Sequence, residues 1–216
     1  MIIVFEIVLL FALFGAVFAL RRWISNPATI GKLGERVIAK RLRAGLPKDE
    51  YLILSDIYLP IEDNATTQID HVVVSRYGIF VVESKNYSGW IFGDKDSPKW
   101  TQTMFRKKST FQNPIRQNYR HICAIAENLG IPKMYLKSVV VFTGDCEFKT
   151  EMPECVVYSH KVATYICTFT EPIINEKQVS EIAEVMQEWN QCVTDAQRKK
   201  HVSNLRRKHQ LHAELP

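Results

Sequence analysis

Apolar and polar positions follow several rhythms along this chain, and the changes of rhythm divide it. Positions 1–20 are apolar or glycine apart from Glu6. At helical rise, about 20 such residues match a hydrocarbon core of about 30 Å. Arg21, Arg22 and Trp23 follow at once, as interface anchors would. No Lys or Arg precedes the run, and no small-residue cleavage site stands out after it, so the pattern predicts a retained transmembrane anchor over residues 1–23. Positive charge on its C-terminal flank predicts a single pass with the remaining chain in the cytoplasm. Ser25-Asn26-Pro27 reads as the punctuation that closes the anchor.

A helical period follows over residues 31–46, ended by Gly45-Leu46-Pro47. At roughly 100° per residue, Ile38, Ala39 and Leu42 fall on the side of Glu35, which places that acid inside an apolar stripe. Residues 51–59 read as a strand ending at Pro60, and 62–67 as a polar loop. Strands at 69–74 and 79–82 are apolar on both faces, as expected where helices cover both sides. Turn signals and aromatics over 86–100 predict an extended excursion. Asn113 and Pro114 read as the cap and first residue of a helix. Its apolar face is Ile115, Ile122, Ile125, Ala126 and Leu129, and Gly130-Ile131-Pro132 stops it. Strands are expected at 139–143 and 155–158, and helices at 162–168 and 177–193. This order predicts an α/β domain with a mixed β-sheet flanked by helices.

One hairpin breaks the rule that core strands carry no charge. It runs Gln68-Ile69-Asp70-His71-Val72-Val73-Val74, turns near Gly78, and returns as Ile79-Phe80-Val81-Val82-Glu83-Ser84-Lys85. Folding back at Tyr77 sets Asp70 opposite the Glu83–Lys85 end. Alternation puts Glu83 and Lys85 on one face, and opposed residues stand about 5 Å apart. Two carboxylates that close need a cation between them. Beside a lysine they can hold Mg²⁺ and activate a water; the same residues could instead form a buried ion pair with no metal. His71 points to the other face and reads as structural. Tyr87, Trp90, Phe92 and Trp100 could stack on bases, but packing of the loop is the favoured reading.

An Asp, a strand turn and then Glu-x-Lys resembles the PD-(D/E)xK nuclease superfamily. Gly31-Lys32-Leu33-Gly34-Glu35 upstream, Glu83-Ser84-Lys85-Asn86-Tyr87-Ser88-Gly89-Trp90-Ile91-Phe92-Gly93, Trp100, and Asn113-Pro114-Ile115-Arg116-Gln117-Asn118 with His121 resemble the nuclease-related domain, NERD, over residues 28–145. The resemblance implies a restriction-endonuclease-like core and a nuclease that uses Mg²⁺ or Mn²⁺ on nucleic acid, DNA foremost. It implies metal ligation by Asp70, Glu83 and the Ser84 carbonyl, with Glu35 at a second metal directly or through water. Lys85 would orient water or stabilise developing charge, and Gln117 would touch substrate or the edge of the site. The rival expectation is a non-catalytic, membrane-tethered nucleic-acid-binding or signalling scaffold on the same fold.

Composition adds little until it is located. The net charge of +5 over 216 residues is mild, but residues 194–216 concentrate Arg198, Lys199, Lys200, Arg206, Arg207 and Lys208. That basic tail suits nucleic-acid phosphates or anionic lipid. Arg106-Lys107-Lys108, Arg116 and Arg120 lie closer in sequence to the candidate site. Five cysteines, an odd number with no CxxC pair, exclude a disulfide framework and a zinc ribbon. The organisation expected is an anchor (1–23), a nuclease-related core (28–145), a strand and helical extension (146–193) and a basic tail (194–216).

Overall fold

Asn26 begins the first helix. Its side-chain oxygen accepts the Ala28 amide at 3.0 Å, and Pro27 fills the first helical position of α1 (Pro27–Gly45), where a missing N–H costs nothing. The Ser25-Asn26-Pro27 punctuation is therefore a helix start, four residues before the sequence pattern places one. This computed structural model describes residues 26–61 and 65–193, together with positions 13–15 and 18. The expected anchor falls largely outside those residues, and the expected tail falls wholly outside them. Among the described residues, no helix is long and apolar enough to cross a membrane.

After α1 come β1 (Tyr51–Ile61), β2 (Ala65–Ser75) and β3 (Gly78–Asn86), then β4 (Gly89–Phe92), β5 (Lys99–Met104) and β6 (Lys107–Gln112). Next are α2 (Pro114–Leu129), β7 (Leu136–Thr143), β8 (Cys146–Phe148), β9 (Val156–Tyr158), α3 (Val162–Ile166) and α4 (Glu176–Cys192). The main sheet has the order β1-β2-β3-β7-β9. β1, β2 and β3 are antiparallel neighbours, whereas β3, β7 and β9 run parallel. The sheet is mixed, as expected, and helices cover both faces. Ile38 and Leu42 of α1 and Val162 and Ile166 of α3 pack on Val73, Phe80, Val82, Val139 and Val141. On the other face, Ile122 and Ile125 of α2 and Val179 and Met186 of α4 pack on Val72, Val74, Ile79 and Val81. The double-sided covering explains why the central strands read as continuous apolar runs.

The excursion expected over 86–100 opens a second sheet that continues to Gln112 and takes in β8, ordered β6-β5-β4-β8. Its strands escape sequence reading for physical reasons. β6 reads Lys-Lys-Ser-Thr-Phe-Gln and is exposed over most of its length. The β5–β6 turn, Phe105-Arg106, lacks the Asn or Gly that marks a tight hairpin. Trp100 is fully buried and stacks on Phe142 of the main sheet at 6.0 Å. Tyr87 stacks on Phe111 at 4.4 Å. These two aromatics serve packing. Asn113 joins the sheet to α2: its oxygen caps the Ile115 amide at 2.9 Å, and its Nδ2 donates to the Ser97 carbonyl at 2.7 Å.

The main sheet reverses its faces at one level. Tyr51, Ile53 and Val73, all odd positions, face α1. Further along the same strands the odd positions Ile57, Leu59 and Ile69 face α2 and α4 instead. The reversal centres on Asp56, which has φ 57°, a left-handed conformation that Asp tolerates better than most residues. Asn190 of α4 braces it. The Asn190 amide donates to the Asp56 carbonyl at 3.0 Å, and its oxygen accepts the Tyr58 amide at 2.9 Å. Asn190→Ala should cost about 1–2 kcal/mol, measured by urea unfolding; an unchanged midpoint would show that the kink holds itself.

Candidate active site

The face reversal creates the site. Ladder pairing of β2 with β3 ends at His71↔Val82, one residue short of Asp70 and Glu83. Beyond that point the Ser84 N–H has no strand partner on the β2 side, and it donates to Asp70 Oδ2 at 2.8 Å. A residue's N–H and C=O point to the same side of a strand, so the Ser84 carbonyl lies on Asp70's side as well. Its hydroxyl is buried without a hydrogen-bond partner.

Glu83 is directed to the α2 side of the sheet. Lys85 follows two residues later on the same face, and its Nζ donates to Glu83 Oε1 at 2.6 Å. Helix α2 supplies the second contact, with Lys85 Nζ donating to Gln117 Oε1 at 3.0 Å. One turn on, His121 Nε2 stands 3.4 Å from Glu83 Oε2, while His121 Nδ1 is 3.2 Å from the Thr67 hydroxyl on β2. Asn118 fixes the helix between these contacts, its amide donating to the Val81 carbonyl at 2.8 Å. Gln117 and His121 are spaced i, i+4 and so share one helical row. The sequence placed Gln117 at the site; His121 stood out in it as part of the family-like motif, without a role at the site.

Glu35 comes from the other helical layer. His71 holds that layer down, since its Nε2–H donates to the Glu35 carbonyl at 3.1 Å and its Nδ1 lies 2.9 Å from the Ser55 hydroxyl. His71 is thus the structural residue expected on the opposite face, and it positions α1 at Glu35. Gly34 permits the close approach. A Cβ there would meet Asn86 Cβ at 2.7 Å and Thr143 Cγ2 at 3.0 Å. Five of the six residues expected at the site (Asp70, Glu83, Ser84, Lys85 and Gln117) are linked by the end of β3, and the sixth, Glu35, reaches them through its charge. Among the described residues, no three His, Cys, Asp or Glu side chains converge as a ready-made metal-ligand group.

The family model described as Nuclease-related domain matches residues 30–143. This chain belongs to the nuclease-related domain family. The family forms part of the PD-(D/E)xK nuclease-like superfamily. An uncharacterized protein of Bacillus anthracis is 35% identical over 211 residues, covering 96% of this chain and 97% of its own length. No solved structure matches. The matched segment of this nuclease-related domain runs from just before Glu35 to the end of β7, and so contains every candidate site residue.

Charge in the NERD site is unevenly compensated. Burial alone would raise Glu83, but the Lys85 ammonium, helped by His121, outweighs it and holds the carboxyl below the usual range. Burial would lower Lys85, and the Glu83 carboxylate outweighs that and raises it. Asp70 is pushed well above its ordinary value, first by burial and then by the charges of Glu83 and Glu35. Glu35 is raised by burial and by Asp56. Three carboxylates therefore share one ammonium, and the excess is negative. Hard oxygen donors with surplus negative charge fit Mg²⁺, which takes one or two carboxylates and keeps its remaining sites for water and phosphate. The chemistry of these donors suits such an ion, which Asp70, Glu83 and the Ser84 carbonyl would hold.

Two outcomes follow from this geometry. In the folded chain Asp70 keeps its proton to a higher pH than in the unfolded chain. Stability then falls as pH rises from the ordinary carboxylate range, about 3.9, through the raised value. Asp70→Asn, whose oxygen still accepts the Ser84 amide, should raise the melting temperature in EDTA near pH 8, with the gain vanishing near pH 3; a lower melting temperature at every pH would contradict the charge excess. Gly34→Ala should cost about 1–3 kcal/mol by overpacking and lift α1 away from the β3 end, visible as weakened amide-exchange protection around Glu35.

Proposed function

We propose that this nuclease-related domain is a Mg²⁺- or Mn²⁺-dependent nuclease that hydrolyses phosphodiester bonds of nucleic acid, DNA foremost, tethered to a membrane by residues 1–23 with the domain on the cytoplasmic side. The observation that supports the reading is that, where the β2–β3 ladder ends, Asp70 accepts the Ser84 amide while the neighbouring Glu83 accepts the Lys85 ammonium. A bound divalent ion would neutralise phosphoryl charge and lower the pKa of a water. The protein's own share is distinct. Asp70, Glu83 and the Ser84 carbonyl present the oxygens that hold the ion. Lys85 is kept protonated by Glu83, so it acts as a cation that stabilises charge on the attacked phosphate or orients the water. Gln117 fixes where that ammonium points, and His121 and Thr67 fix Glu83. Glu35 adds negative charge from the α1 side, suited to a second ion or an ordered water. The anchor rests on the apolar run and its Arg21-Arg22-Trp23 flank.

One observation favours the rival scaffold reading: Glu83 already has a short ion pair with Lys85, which neutralises it without metal. A single variant separates the two. Asp70→Asn should reduce Mg²⁺-dependent DNA cleavage to background while leaving the fold more stable, and Lys85→Ala should cost roughly 10²–10³-fold in turnover. EDTA should abolish cleavage by the wild type. Equal cleavage by wild type and Asp70→Asn would end the nuclease assignment; DNA binding without metal binding or cleavage would favour the scaffold.

A further inference from the structure

The root of the β5–β6 hairpin packs next to the site: Trp100 stacks on Phe142, the strand partner of Lys85, and Phe111 stacks on Tyr87, two residues after it. Its tip is Phe105-Arg106, between the paired residues Met104 and Lys107. Phe105 is 96% exposed and has φ 54°. A bulky side chain disfavours that left-handed region, and here it gains no packing in return. Neither turn preference nor core burial accounts for a phenylalanine at this position, and such an outlier points toward a function. The charge around it is of one sign. Residues 97–112 hold Lys99, Arg106, Lys107 and Lys108 and no acid. The exposed Arg116 and Arg120 follow on α2, in the row beside Gln117 and His121.

We infer that the β5–β6 hairpin is a binding arm for unpaired nucleic acid, with Phe105 stacking on an exposed base and Arg106, Lys107 and Lys108 holding the flanking phosphates. An aromatic ring among cations complements a ligand that offers both π-faces and regularly spaced negative charge. The inference rests on the nuclease reading for its choice of ligand. Anionic lipid also attracts aromatic and basic groups, but the packing of the arm's root beside Lys85, and the basic row that continues onto α2 beside Gln117, favour a polymer that must reach that site.

The full-length protein in detergent, with EDTA present, is titrated against a labelled oligothymidylate, a blunt DNA duplex and vesicles containing phosphatidylserine. Phe105→Ala should weaken oligothymidylate binding about tenfold, and Phe105→Trp should retain it. The triple variant Arg106→Ala, Lys107→Ala, Lys108→Ala should flatten the slope of log affinity against log salt by about 2. Mg²⁺-dependent turnover of bis(p-nitrophenyl) phosphate, too small to span arm and site, should be unchanged in Phe105→Ala. Wild-type oligothymidylate affinity in Phe105→Ala would overturn the inference. So would loss of vesicle binding alone, which would assign the arm to lipid. A wild type that turns over neither DNA nor the small diester, yet shows Phe105-dependent binding, would remove the nuclease reading and support the arm.

Discussion

Carboxylates crowded at the end of a buried strand are the constraint around which this molecule is organised. Asp70 and Glu83 lie one residue beyond the last hydrogen-bonded pair of β2 and β3, and Glu35 adds a third charge from the opposite layer. Isolated, such a group would be too costly to bury. Each has a compensating device: a backbone amide for Asp70, an ammonium for Glu83, and partial exposure for Glu35. Removing the Lys85 ammonium would leave Glu83 buried and uncompensated, a loss of the order of 3–5 kcal/mol in comparable pairs. The compensation is incomplete at Asp70, and that deficit is what the proposed cation would offset.

Much of the scaffolding serves to hold that deficit in place. The left-handed Asp56 turns the faces of β1 and β2 over, so that the ladder ends at the level of Asp70. Asn190 holds Asp56 from a helix more than a hundred residues away. His71, buried and shifted down to about 4 by desolvation, remains neutral at ordinary pH and ties α1 to the sheet through the Glu35 carbonyl. Protonating it would break that neutral arrangement, so acid should loosen α1 between pH 6.5 and about 4. The corner is rigid because a kink, a helix brace and a neutral histidine each fix a different one of its walls.

The sequence showed the chemistry more clearly than the architecture around it. Asp70, Glu83 and Lys85 stood out because charges interrupt runs of valine and isoleucine, a violation of patterning that survives without any coordinates. Both helices that flank the site are legible from caps and apolar stripes, although Ser25-Asn26-Pro27 reads as an end in the sequence and Asn26 caps a start in the fold. The second sheet was not legible. Its strands are short, exposed and joined by an atypical turn, and its stability comes from Trp100 and Tyr87 packing against other elements. The face reversal at Asp56 was also hidden, because a left-handed aspartate looks like any other aspartate in a sequence. His121 belongs to the family-like motif, but its contact with Glu83 joins residues 38 apart and cannot be read from spacing.

The similarity to the nuclease-related domain stops at residue 143, at the end of β7, but the physical body does not. β9 pairs along the outer edge of β7, Val162 and Ile166 of α3 close the α1 layer, and Met186 of α4 is fully buried. A protein cut at the limit of family likeness would bare a strand edge and a broad greasy surface, both invitations to self-association. The segment matched by the family model is therefore smaller than the body that shares its two cores.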